Sequence, residues 1–134
     1  MEDPAIRLYH GTSSVFLESI LEKGLLPRKY TGISNWDISE FWIDLSSDPE
    51  LVYLASTPEK ARNIGSQAAE IHGGKPVVLE VRVSSYNLFP DEDSGPAIVL
   101  RGDWRESLEV RGTCAYRGII PPRNIRVYEK TKAA

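Results

Sequence analysis

From Pro76 to Val83 the chain alternates, with Val77, Leu79, Val81 and Val83 on one side and Glu80 and Arg82 on the other. A period of two with one apolar side marks a strand packed on one face. Antiparallel sheets allow that, whereas parallel strands buried between helix layers read as near-continuous apolar runs. The other strand candidates are Ile6–His10, Leu51–Ala55, Ala97–Arg101, Thr113–Tyr116 and Ile125–Glu129. Two helices are predicted to cover the sheet. Thr12, Ser13 and Ser14 offer N-cap oxygens to a helix over Val15–Lys23, on which Phe16, Leu17, Ile20 and Leu21 share a face. Gly24 takes the C-cap position and Pro27 blocks continuation. Thr57-Pro58 pairs an N-cap with proline at N1, and the helix it opens runs to about Ile71 before Gly73-Gly74. The order β-α-β-α followed by a run of strands predicts an α+β domain and not a doubly wound sheet.

The 134 residues make one domain, 1–134, able to bury a core without metal or disulfide help. A lone cysteine, Cys114, excludes an intrachain disulfide and a cysteine zinc cage. It fits a reducing compartment, and the expected location is the cytoplasm, with delivery as an effector as the alternative. No apolar run approaches the ~20 residues that span a bilayer, and Met1–Pro4 does not read as a signal peptide, so no membrane partner is expected. A net charge of −3 argues against broad, sequence-independent nucleic-acid binding, while leaving room for a local basic patch.

Several chemistries are unsupported. There is no G-x-G-x-x-G, no P-loop, no H-E-x-x-H and no G-x-S-x-G. The histidines, His10 and His72, are too few for a His-rich metal site, and no metal is expected. Cys114 lies within an apolar strand without a nearby histidine, where packing explains it better than nucleophilic chemistry. The segment Leu8-Tyr9-His10-Gly11-Thr12 is the informative one. A histidine at a strand end can donate from one ring nitrogen while a neighbour holds the other, and a following glycine lets a flat group approach the backbone. Alone, the tripeptide reads equally as a strand end with a locally bonded histidine. The long segment Arg28–Glu50 carries Trp36, Phe41 and Trp42 among turn formers, a pattern of functional loops or of core filling beneath a loop.

The wider context changes the weighing. His10-Gly11-Thr12, then a helix ending Glu22-Lys23-Gly24-Leu25-Leu26-Pro27, then Val52-Tyr53-Leu54-Ala55-Ser56-Thr57 and Lys60-Ala61-Arg62-Asn63 resemble the start of the NAD⁺ pocket in ADP-ribosyltransferases. The branch they look most like includes diphtheria toxin and the poly(ADP-ribose) polymerases. The resemblance covers about the first 65 residues well. Beyond them only the strand pattern and Ile119-Ile120-Pro121-Pro122 match.

The resemblance implies an ADP-ribosyltransferase-like fold, with two small packed antiparallel-rich sheets and flanking helices. It implies NAD⁺ as substrate, cleavage of the nicotinamide–ribose bond, and transfer of ADP-ribose to an unidentified acceptor, protein or nucleic acid. His10 would bond the adenosine ribose, the Gly11 backbone the nicotinamide carboxamide, and Thr12 would support that strand. Tyr53 would wall the nicotinamide pocket, with Ser56 and Thr57 on its rim. Ile64 stands where a second, stacking tyrosine is common. A glutamate usually precedes the Ile-Pro-Pro-like turn. Here Thr113–Ile119 contains no carboxylate, the nearest upstream acids are Glu109 and Glu106, and Arg117 falls close to the expected position. Glu109 and Arg117 are therefore the candidates for the third functional residue. An arginine there suits phosphate contact through its planar fork of donors.

RNA 2′-phosphotransferases are similar in the same motifs, in Gly74–Leu79 and in Ile120–Ile125. They differ in that their second-strand histidine is Tyr53 here, and an arginine after a Val-Gly step is missing, since Ile64-Gly65 is followed by Ser66-Gln67. A catalytically inactive module that binds NAD⁺ or ADP-ribose is the further alternative.

Overall fold

The computed structural model describes residues 5–27, 51–90 and 104–128. The aromatics of Trp36–Trp42, the acidic segment 91–96 and the expected strand Ala97–Arg101 lie outside the described residues.

The strands are β1 (Ala5–Ser13), β2 (Leu51–Ala55), β3 (Pro76–Ser84), β4 (Leu88–Pro90), β5 (Thr113–Arg117) and β6 (Ile125–Val127). The helices are α1 (Leu17–Lys23), α2 (Pro58–His72) and α3 (Trp104–Arg111). The fold is α+β, with one six-stranded sheet in the order β4-β5-β2-β1-β3-β6 and antiparallel neighbours throughout. This corrects the expectation of two packed sheets, because a Tyr9–Ala55 pairing between β1 and β2 joins the two halves. That junction is short. β1 pairs with β3 from Ala5–Ser84 to Ser13–Pro76, and β2 pairs with β5 from Leu51–Arg117 to Ala55–Thr113. Between β1 and β2 the described register is Tyr9–Ala55 alone. Beyond that pair, the His10 ring reaches the Tyr53 carbonyl oxygen across the same two strands.

One face of the sheet carries the main core. Leu8, Leu54, Leu79, Val81 and Cys114 pack there with Ile20 of α1 and with Leu25 and Ile120. Cys114 is a buried free thiol. Leu25 and Ile120 exchange backbone bonds at 2.9 and 3.0 Å, which ties the end of α1 to the turn before Pro121-Pro122. Gly24 makes that approach possible. Its φ is +95°, and a Cβ there would stand 2.3 Å from the Ile120 carbonyl oxygen.

The opposite face is covered in part by α2. Thr57 caps it by accepting from the Lys60 N–H, and Ala61, Gly65 and Ala68 form its buried side. These small side chains bring the helix backbone onto β1 at Gly11 and Thr12. The β3 alternation therefore holds only in part. Leu79, Val81 and Val83 face the main core as expected, but Val78 and Glu80 are buried too, Val78 in the second cluster with Ala55 and Ala61.

Helix α3 and strand β4 were not anticipated from the sequence. The α3 residue Ser107 is fully buried, and its hydroxyl donates to the Thr113 carbonyl at 2.6 Å, fixing the start of β5. Ser107→Ala leaves that buried acceptor without this donor. The expected loss is about 1–2 kcal/mol of stability, measurable by urea unfolding. An unchanged midpoint would mean that α3 does not anchor β5.

Candidate functional site

The residue that sets this site is His10, next to the Tyr9–Ala55 pairing that joins β1 to β2. Its ring is half-buried, and Nδ1 lies 2.9 Å from the Tyr53 carbonyl oxygen. A carbonyl only accepts, so Nδ1 carries the hydrogen and donates. In the neutral ring Nε2 is then left with its lone pair, an acceptor for a ligand hydroxyl. Burial lowers the His10 pKa from its ordinary 6.5, and the bond to Tyr53 opposes that shift without cancelling it. His10 is thus neutral at physiological pH, in one tautomer.

That depression has a consequence for stability. Below about pH 6.5 the unfolded chain takes up a proton at His10 that the folded chain refuses. The stability contributed by the neutral ring is complete above 6.5 and declines as pH falls toward the lower folded value. The melting temperature is expected to drop through this acid window. His10→Asn should flatten the His10 component of the slope, and an identical slope in the variant would contradict the assignment.

The remaining candidates fall around this seam to different degrees. Gly11 and Thr12 continue β1 and are buried, paired with Val78 and Val77 of β3. A Cβ on Gly11 would meet the Ala61 carbonyl oxygen at 1.7 Å, so the glycine is needed where α2 crosses the strand. Ile64 is half-buried on α2, next to Gly65, which abuts the Thr12 backbone. Tyr53 is half-buried and opposite Ala115 of β5.

Side chains alternate along a strand. The Tyr9–Ala55 pairing puts Tyr53 on the same sheet face as Tyr9, and His10 on the other. The imidazole therefore reaches Tyr53 through the peptide carbonyl, and the expected meeting of the two side chains on one face is not what the register gives. Arg117, exposed at the end of β5 and paired with Leu51, is a diagonal neighbour of Tyr53. Its guanidinium lies 5.4 Å from the centre of the Phe89 ring. Ser56 closes β2 by donating its backbone N–H to the Gly112 carbonyl at 2.9 Å, and Thr57 serves as the α2 cap. Glu109 is exposed on α3 and Glu106 on its first turn, neither of them on a strand.

Glu80, on the side of β3 opposite the apolar residues, is buried and paired with Arg7 at 3.3 Å and with Arg126. The single visible signal of its burial was a glutamate in the middle of the longest alternating strand. Among the described residues no group of His, Cys, Asp and Glu is placed to hold a metal, and no helix is long and apolar enough to cross a membrane.

No family model matches the chain, and none of the curated proteins matches it in sequence. Its fold is nevertheless shared. The solved structure EcPltA aligns with it at a TM-score of 0.54 and 18% identity, covering 90% of this chain and 73% of EcPltA. At that identity the likeness is one of fold, and the chemistry rests on the residues themselves.

Proposed function

We propose that the chain is an NAD⁺-dependent ADP-ribosyltransferase that cleaves the nicotinamide–ribose bond of NAD⁺ and transfers ADP-ribose to an acceptor. The observation that carries this reading is the His10 ring at the junction of β1 and β2, held by the Tyr53 carbonyl with Nε2 as a lone-pair acceptor. A nucleotide ribose presents hydroxyl donors to such an atom. The motif resemblance around Leu8–Thr12 and Val52–Asn63 supplies the identity of the nucleotide.

In this reading the dinucleotide lies at the β1–β2 junction, with His10 on a ribose and the Gly11 backbone and Tyr53 at the nicotinamide end. Nicotinamide leaves with the electrons of the glycosidic bond. The ribose passes through an oxocarbenium-like state, and an acceptor oxygen or nitrogen attacks the sugar carbon and gives up its proton. Arg117, diagonal to Tyr53, supplies a cation suited to a phosphate. NAD⁺ is the substrate, no metal is required, and the location fitting this reading is cytoplasmic or that of a delivered effector.

The test is incubation of the protein with NAD⁺ and cell lysate, with free nicotinamide and modified macromolecules measured by mass spectrometry. Nicotinamide release above a no-protein control is expected. A specific observation favours a second reading, a module that binds NAD⁺ or ADP-ribose without turnover: β5, Thr113–Arg117, offers no carboxylate. In that case NAD⁺ raises the melting temperature and no nicotinamide appears. Absence of both effects would end both readings.

A further inference from the structure

The sheet face opposite His10 carries an arrangement of charge at odds with the protein as a whole. Arg7 of β1 and Arg82 of β3 are paired directly across the strands, and Tyr9 pairs with Glu80 beside them. On β6, Arg126 is paired with Glu80. Alternation puts Arg7, Arg82, Glu80 and Arg126 on one face. The Tyr9 and Tyr128 rings meet edge-to-face on the same side, with centroids 5.5 Å apart. Like charges placed directly opposite on neighbouring strands destabilise a sheet. Here one carboxylate is shared between two of the arginines. Glu80 holds Arg7 at 3.3 Å and also holds Arg126, and Arg82 has no carboxylate partner among the described residues.

The three guanidinium groups are open to solvent. The side chains of Arg7 and Arg126 are 53% and 71% exposed, and Arg82 is exposed too. Arg123, also exposed, stands in the turn that enters β6. A chain of net charge −3 thus gathers surplus positive charge on one face, beside aromatic rings.

We propose that this face of β1, β3 and β6 is a docking surface for single-stranded nucleic acid, which it holds by its phosphates. Charge complementarity supplies the attraction. Guanidinium forks match phosphate oxygens in pairs. Tyr9 and Tyr128 border the patch, packed in part against Ala55, Ala61 and Val78, and stacking of a base on the part they leave exposed favours a nucleic acid over an acidic peptide, whose carboxylate side chains add none. Glu80 positions Arg7 and Arg126, leaving Arg82 as the guanidinium that answers to phosphate alone. The surface needs no NAD⁺ and lies on β1, β3 and β6, on the face opposite the His10 ring and away from β2 and β5, so its test is independent of the transferase reading.

The experiment is fluorescence anisotropy of a labelled mixed-sequence single-stranded RNA, with a DNA of the same sequence as a second arm, titrated with the full chain across a salt series. Wild type should bind at low salt, with a log–log salt slope of about −2, the value for about three phosphates neutralised on a single strand. Arg82→Glu should weaken binding about tenfold. Arg82→Gln should weaken it less and reduce the slope by about 0.7. Lys23→Glu, on the far side of the sheet, should leave binding unchanged. Equal melting temperatures for wild type and the Arg82 variants establish that folding is not what is being read. Absence of wild-type binding to either strand at low salt would overturn the proposal. So would unchanged affinity in both Arg82 variants, or displacement of the RNA by poly-glutamate at equal charge, which would mark an acidic protein as the partner.

Discussion

Gly11→Ala is expected to cost about 3 kcal/mol or more, the upper range for forcing atoms into a packed interior, and to lower the melting temperature by roughly 10 °C. The reason lies in what the new methyl meets. It would stand 1.7 Å from the Ala61 carbonyl oxygen, 2.7 Å from the Ala61 carbonyl carbon and 2.8 Å from the Gly65 nitrogen, all of them helix backbone. No side-chain rotation relieves such a contact. Either α2 lifts from the sheet or β1 bends, and both undo the burial of Ala61, Gly65 and Ala68.

Gly65→Ala is the internal comparison. Its methyl would lie 3.0 to 3.2 Å from Thr12 and Val77 backbone atoms, a misfit of a few tenths of an ångström. Alanine also gains about 0.8–1 kcal/mol of helix propensity over glycine, so this variant should fall within about 1 kcal/mol of wild type. Thermal and urea unfolding of the two variants measures the contrast. A Gly11→Ala chain as stable as wild type would mean that α2 does not cross β1 there. The result also bears on function. A glycine demanded by helix packing explains part of the His-Gly-Thr motif without a ligand, and a nucleotide contact by its backbone would be a second demand on the same residue.

The sequence was most legible where local chemistry and tertiary packing agree. Leu51–Ala55 begins and ends as its apolar run and the Thr57-Pro58 cap require. Helix α2 extends one residue beyond Ile71 before its glycines. The first helix opens as a turn of 3-10 helix over Ser14–Phe16, because the Ser13 hydroxyl caps Val15 and tightens the entry. Helix α3 was missed because Trp104–Arg111 shows a charged surface and little apolar periodicity, and what seats it is a buried serine bond to β5. The burial of Glu80 was not legible for a related reason. Alternation reports which face a side chain takes, and not whether arginines from two other strands will cover it. The joining of the strands into one sheet could not be read at all, since the register of β1 on β2 depends on residues far apart in the chain. Of the candidate site, His10 and Tyr53 are brought to adjacent strands and meet through the Tyr53 backbone carbonyl, while their side chains take opposite faces of the sheet. The pairing of His10 with a carbonyl, and not with the phenol, is information that only coordinates carry.

Loss of His10 is expected to have the largest effect on turnover. If the chain cleaves NAD⁺, His10→Ala should reduce nicotinamide release about 10²–10³-fold, the range seen when one positioned polar contact to a reacting group is removed. Alanine alone would be ambiguous, because it also removes the donor to the Tyr53 carbonyl, at a cost of about 1 kcal/mol. His10→Asn separates the two effects. Its amide nitrogen falls near the Nδ1 position and can keep the bond to Tyr53, but nothing occupies the place of Nε2. The asparagine chain should fold nearly as well as wild type and still lose activity as the alanine chain does. His10→Gln, whose amide reaches toward the Nε2 position, should recover part of the rate. The pH profile gives a further constraint. With the His10 pKa held below 6.5 by burial, the ring remains a neutral acceptor from neutral pH down past that value, so an acid limb due to His10 belongs below it. A limb above pH 6.5 that vanishes in His10→Asn would contradict the buried neutral imidazole. An asparagine variant as active as wild type would remove Nε2 from the chemistry.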